Sequence, residues 1–258
     1  MLLIAVVGGQ ALAPHDPATI NLENRLAPPV FLGGEWTHVF GTDQLGRDLL
    51  SRMIVGAKLS VLIALVGTLV AAVLGGLLGI VAAWRRGWVE DGIMMMVDVQ
   101  ASLPYVIFAL SAIAFFGGGF VLFLVVVGLY GWDRYARVVR AETLVIMQQD
   151  YVQAQRLIGS SIPRIYGKHL LPNVANVIIV NASIYFPQTM LLESTLSFLG
   201  LGVQPPMVSL GSLLDVGRDY VFTAWWIAVL PGLAIACTAL AVSAYGDNLR
   251  DRLDPTLL

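Results

Sequence analysis

The chain has 258 residues, 57% hydrophobic and 12% charged. Soluble domains carry roughly 25% charged residues, so this composition cannot cover a water-facing surface and most of it should face lipid or other protein. A net charge of −2 excludes the basic footprint of a nucleic-acid binder, and the single cysteine, Cys237, excludes an intrachain disulfide and reads as inert packing.

The opening MLLIAVVGGQALAP is apolar but short. It reads as a partial first helix over residues 1–13. The competing reading is a signal-peptide core, since Ala11-Leu12-Ala13 resembles a cleavage site, although no charged segment precedes it. Residues 14–58 form a loop. A spanning helix needs about 20 apolar residues. The charge-free run to Trp84 predicts a span over 59–84. Val99 to Trp132 is also charge-free but too long for one helix, and Gly117-Gly118-Gly119 cuts it. The expected spans are therefore 93–116, which includes Asp98, and 119–137, with Arg134 and Arg137 reaching the headgroups. Spans over 172–192 and 220–246 complete five. Between them, the loop 193–219 contains Gly200, Gly202, Pro205, Pro206 and Gly211. These predict irregular backbone at the membrane surface, shielded by protein. The expected fold is all-α, one polytopic helical bundle over 1–258.

Charge sets the orientation. Segments 85–92, 133–169 and 247–258 hold Arg85, Arg86, Arg134, Arg137, Arg140, Arg156, Arg164, Lys168, Arg250 and Arg252. The other side holds Arg25, Arg47, Arg52, Lys58 and Arg218. The first set lies inside, and residues 147–170 form the longest inner loop. There Asp150 can cap a short helix through Gln153, Ala154, Arg156 and Leu157. Gly159 ends it, and Ser160 or Ser161 can cap a second helix that tolerates Pro163 in its first turn. Val152, Ile158, Ile162 and Ile165 offer apolar contacts, and the small Ala154 and Gly159 permit close approach. Two readings follow: a protein-docking surface, or a basic segment lying on lipid headgroups.

Other polar residues also allow two readings. Asp43, Arg47 and Asp48 are an outer docking surface or gate, or else they cap and pair locally. Asp98 is a proton relay, or a helix charge and partner for a nearby Arg. Glu193 contacts a charged substrate terminus, or caps the following loop. Asn181 and Gln188 line a polar path, or bond to neighbouring helices. Met94, Met95 and Met96, and the Gly75-Gly76…Gly79 run, read as packing positions. No phosphate-cradling GxxxxGK[ST] pattern, no Ser/His/Asp set and no metal-ligand spacing among the three scattered histidines is found. The expectation is a non-catalytic chain that binds no cofactor and no metal.

Three stretches carry a family resemblance. DYVQAQRLIGSSIPRIYGKHLLPN resembles the cytoplasmic coupling motif of ABC-transporter permeases, with Ala154, Gly159, Leu171 and Pro172 matching. Gln153 stands where Glu is usual and Gln155 where Ala is usual. GTDQLGRDLLSRMIVGAKLS and LLESTLSFLGLGVQPPMVSLGSLLDVGRDY are similar to the dipeptide/oligopeptide/nickel permease subfamily, specifically its second permease subunit. The resemblance implies a type I ABC-importer permease fold in a bacterial inner (cytoplasmic) membrane. It implies a sister permease, two cytoplasmic ATPases that hold ATP and Mg, and a periplasmic or lipid-anchored solute-binding protein. ATPase contact then falls to Gln153, Ala154, Arg156, Gly159, Ile165, Leu171 and Pro172. The cargo would be a peptide, or nickel or another small solute. The rivals are a secondary transporter, which would need ionisable groups near mid-membrane, and an intramembrane enzyme.

Overall fold

The computed structural model describes residues 12–159 and 161–253, so the opening segment before Leu12 and the cap candidate Ser160 lie outside the described residues. Among the described residues the regular structure is helical, and one isolated bridge pairs Thr42 with Asp48. In chain order the helices are α1 (Leu49–Arg85), α2 (Trp88–Ser102), α3 (Tyr105–Phe116), α4 (Phe120–Gly128), α5 (Trp132–Gln148), α6 (Asp150–Leu157) and α7 (Ile162–Ile165). A π-helical turn (Tyr166–Leu170) leads into α8 (Leu171–Phe198), followed by α9 (Leu210–Arg218) and α10 (Trp226–Leu253).

Three helical stretches are long and apolar enough to cross a membrane: Leu49–Arg85, Leu171–Phe198 and Trp226–Gly246. The α2–α3 pair makes a fourth if counted as one span, but it bends by 94°. The span expected over 93–116 is thus broken, and Pro104 is the cause. A proline disfavours helical backbone in the residue before it, and Leu103 is extended (φ −100°, ψ 134°). The span expected over 119–137 is also divided. Gly131 takes the left-handed conformation (φ 84°, ψ 0°) and α5 restarts after it. The nine residues of α4 extend only about 13 Å, well short of a hydrocarbon core of roughly 30 Å.

Other boundaries move for local reasons. Helix α1 starts ten residues before the expected 59, because Asp48 caps it: the Ser51 N–H donates to Asp48 Oδ2 at 2.8 Å. Lys58, whose charge set the expected start, lies inside α1, and the charge of Arg52 further back is met by Asp43 at 3.3 Å. The outer loop after 193 is only partly irregular, since α8 runs to Phe198 and α9 occupies Leu210–Arg218.

The chain forms two compact units, each built from three separate segments. The first comprises Met1–Leu65, Leu110–Val127 and Pro187–Ala241; the second comprises Val66–Ala109, Gly128–Phe186 and Val242–Leu258. In the second unit α1 lies against α5 with no room for side chains between them. A Cβ on Gly75 would stand 2.2 Å from the Trp132 carbonyl oxygen, and one on Gly79 would stand 2.6 Å from that of Ala136. Two glycines four residues apart share one helix face, so the close contact extends over a full turn. Around it Ala71, Ala72, Val97, Trp132, Tyr135 and Ala136 form a buried cluster.

Candidate functional site

The inner segment is built as a rigid connection. Asp150 is the first residue of α6, so its charge sits in the first turn where it meets the positive helix end. Gly159 ends the turn after α6 with φ +83°, a conformation that L side chains rarely adopt. The Ser161 carbonyl accepts from the Arg164 and Ile165 N–H groups and so opens α7. From there helical backbone continues: Ile165 (φ −63°, ψ −46°) enters the π-helical turn and Leu171 (φ −55°, ψ −43°) leaves it into α8. No loop separates the segment from the span.

Apolar anchors fix this segment from below. Val152, Ile165 and Leu170 are buried with Val139 and Ile146 of α5 and Val174 of α8, with Ile80 of α1 packed alongside. Gln153 Nε2 donates to the Met147 carbonyl at 2.9 Å. Of the residues expected to meet a partner, Gln153, Ala154, Gly159, Leu171 and Pro172 are exposed. Ile165 is not: at 1% exposure it holds the segment in place and cannot itself be touched. Ile158, one of the residues expected to offer apolar contacts, is 79% exposed, and its neighbour Leu157 is 89% exposed. Arg156 lies on α6, with its side chain outside the described residues.

The second unit also ties α2 to α5. Arg137 pairs with Asp98 at 2.9 Å, which gives Asp98 the arginine partner foreseen for it. Arg140 pairs with Glu90. Trp132 Nε1 donates to Gln100 Oε1 at 2.6 Å, and Gln100 Nε2 donates to the Leu129 carbonyl at 3.0 Å. Arg134, expected at the headgroups, stacks over the rings of Tyr130 and Tyr185. Beside the α2–α3 bend lies a mostly apolar cavity of about 320 Å³, lined by Met95, Met96, Val99, Gln100, Tyr105 and Trp132 among others. Sequence reasoning missed it. The available signal was Gln100, an amide inside an otherwise apolar run.

In the first unit, the polar residues serve the chain itself. Asp43 is 1% exposed and binds Arg47 Nε at 2.7 Å as well as Arg52. It also accepts from the Leu45 and Arg47 N–H groups. Asp48 is 3% exposed and caps α1. Both carboxylates therefore shape the loop; neither is presented to a docking protein, and Arg47 is half-buried against Asp43. Glu193 has no exposed surface and accepts from Ser197 Oγ at 2.8 Å and Ser194 Oγ at 3.3 Å, with Ser60 and Ser209 hydroxyls also bonded to it. The Leu210 N–H donates to Ser60 Oγ, and Ser209 and Ser212 form a reciprocal cap on α9. Glu193 thus fixes the outer loop, which removes it from a pore-lining role in this conformation. Of the other two pore candidates, Asn181 donates to the Val177 carbonyl of its own helix at 2.8 Å, and Gln188 is half-buried. Two of the three histidines, read as scattered, meet: His15 and His38 both approach Asp48.

A multi-pass helical chain with a stiff inner projection and an internally satisfied outer loop defines a membrane permease subunit. Residues 75–258 match the family of binding-protein-dependent transport system inner membrane components, and the chain belongs to that family. It is 39% identical over 247 residues to the di/tripeptide transport system permease protein DppC of Pseudomonas aeruginosa, covering 95% of this chain and 82% of that one. It is 40% identical over 261 residues to a putative peptide transport system permease protein of Brucella suis, covering 100% and 86%. A probable D,D-dipeptide transport system permease protein, DdpC of Escherichia coli, is 35% identical over 255 residues, covering 99% and 84%. The fold is shared with a chain of the MetNI methionine ABC transporter in an inward-facing conformation, at a TM-score of 0.64 and 18% identity, covering 80% of this chain and 96% of that chain.

Proposed function

We propose that the chain is one transmembrane half of an ATP-driven importer for peptides, with a sister permease completing the path. The relatives' peptide cargo supports peptides over nickel or another small solute. Two cytoplasmic ATPases, which hold the ATP and Mg, dock at α6 and Gly159. A solute-binding protein delivers cargo at the outer side, in keeping with the family's description. The carrying observation is the unbroken helical path from Ile162 to Phe198, with the exposed Leu157–Ile158 pair projecting beside it.

Such a projection needs no chemistry. When nucleotide binding draws the ATPases together, a docked α6 moves with them, and the displacement passes through the turn at Gly159 into the continuous helical path from Ile162 to α8. The buried Val152, Ile165 and Leu170 pass the same displacement to α5. Reconstituted with its co-purifying subunits, the chain is expected to take up labelled dipeptide only with ATP inside the ATPase compartment. Equal uptake driven by a proton or sodium gradient without ATP overturns the proposal.

A further inference from the structure

We propose that His15, His38 and Asp48 form a resident site for a divalent transition-metal ion of the zinc class on the outer-side loop. The three are separated in sequence but converge in the first unit. His38 Nδ1 lies 3.0 Å from Asp48 Oδ1, His15 Nδ1 lies 3.9 Å from Asp48 Oδ2, and one ligand atom from each lies within 4.8 Å of the others. The imidazole rings stand 5.0 Å apart, centroid to centroid. In a tetrahedral site with bonds of about 2.0–2.2 Å, ligand atoms lie roughly 3.3 Å apart. The His38–Asp48 edge is already near that length. A modest rotation of His15 supplies the third ligand.

Burial is graded in a useful way. The Asp48 side chain is 2% exposed, that of His38 is 17% and that of His15 is 43%. The fixed ligand is thus innermost and the adjustable one lies at the rim, where an ion enters and a water completes the coordination. A supporting shell is present. Asp48 Oδ2 accepts from the Ser51 N–H at 2.8 Å and from Ser51 Oγ at 2.6 Å. The same Ser51 Oγ accepts from the His15 N–H at 3.0 Å. One hydroxyl therefore positions both the carboxylate and the backbone of a histidine ligand, the kind of outer partner that orients metal ligands. Two imidazoles and one carboxylate suit zinc, cobalt or nickel, whereas magnesium and calcium prefer all-oxygen shells. A hydrogen-bonded His38–Asp48 pair alone leaves unexplained why a second imidazole, at 3.9 Å and beyond hydrogen-bond reach, faces the same carboxylate. The ion would staple residues around His15 to the cap of α1. This site is independent of the cargo reading.

The test uses the whole transporter, purified through a histidine-free tag, stripped with chelator and titrated with Co(II) as the probe. The wild type is expected to gain visible ligand-field absorption from one ion that His15→Gln and His38→Gln each lose. Affinity should fall by at least about tenfold in both. The difference between wild type and variants isolates this ion from any bound by other subunits. Zinc should also raise the wild-type melting temperature without raising that of either variant. Glutamine can still hydrogen bond to Asp48, so the metal-free melting temperatures should agree. Absence of binding in the wild type, or equal binding and equal zinc-dependent melting shifts in all three proteins, overturns the site and leaves a histidine–carboxylate contact only.

Discussion

Glu193 is a carboxylate without exposed surface, surrounded by serine hydroxyls of its own chain. Gly159 is a turn with nothing within 4 Å of where a Cβ would stand, next to two aliphatic side chains that face outward. At the first place, each added hydroxyl gives the carboxylate an internal partner, which a buried charge requires. At the second, two apolar side chains stay exposed while the anchors of the same segment are fully buried. The Glu193 carboxylate is therefore satisfied within this chain, whereas the apolar pair beside Gly159 is left uncovered by it. The comparison also separates two kinds of glycine. Gly75 and Gly79 are required by contact within the chain, while Gly159 is required by its own backbone angle.

The largest expected effect comes from Gly75→Leu. Its side chain would enter the Trp132 carbonyl and the Tyr135 Cβ, and overpacking against backbone costs about 1–3 kcal/mol or more. The yield of folded subunit in detergent should drop severalfold, as read by size-exclusion chromatography; unchanged yield would break the account of the α1–α5 contact. Next is Gly159→Val, which forces a β-branched residue to positive φ. Uptake should fall by more than about tenfold while the subunit still inserts, because straining this turn by about 1–2 kcal/mol displaces the projection. Gly159→Asn, which tolerates that angle, should retain most uptake. If Asn fails as badly as Val, the requirement is for an empty surface and not for the turn.

A paired Leu157→Ser, Ile158→Ser change removes exposed apolar area worth about 1.5–3 kcal/mol per side chain once buried at an interface. ATPase retention on the purified complex should weaken about tenfold or more, with subunit melting unchanged; full retention assigns these side chains to lipid. Glu193→Ala should lower the melting temperature of the subunit through a loss of about 1–3 kcal/mol, since several buried hydroxyls lose their acceptor, and Glu193→Gln should recover part of it. The smallest effect belongs to Asp98→Asn. Its pair with Arg137 is exposed on both sides, so stability should change by less than about 1 kcal/mol, and a total loss of uptake would revive the relay reading.

The family, the inner segment and the two small helices α6 and α7 were legible because each is local: a polar interruption in an apolar chain, a glycine where a helix must stop, a proline where one can start. The spans over residues 172–192 and 220–246 were legible for the same reason, since an uncharged run of sufficient length needs no partner to be recognised. Hydropathy did not show the breaks at Leu103 and Gly131, because Pro104 and a glycine act through backbone angles that an apolar average conceals. Nor did it show that α1 begins at Leu49, since Lys58 ends the uncharged run while the helix start is set by the Asp48 cap.

By itself, then, the sequence determined that this chain carries stretches apolar and long enough for lipid, and where a polar segment interrupts them. Tertiary structure alone decided which polar groups are free to meet another molecule. Asp43, Asp48 and Glu193 look available as letters and are buried in place; Ile158 and Ile165 are the same letter, yet the first is exposed and the second buried; His15 and His38 look unrelated and face one carboxylate. The reason is physical: composition and periodicity are properties of neighbours along the chain, whereas the pairing of a charge depends on which distant segment folds against it.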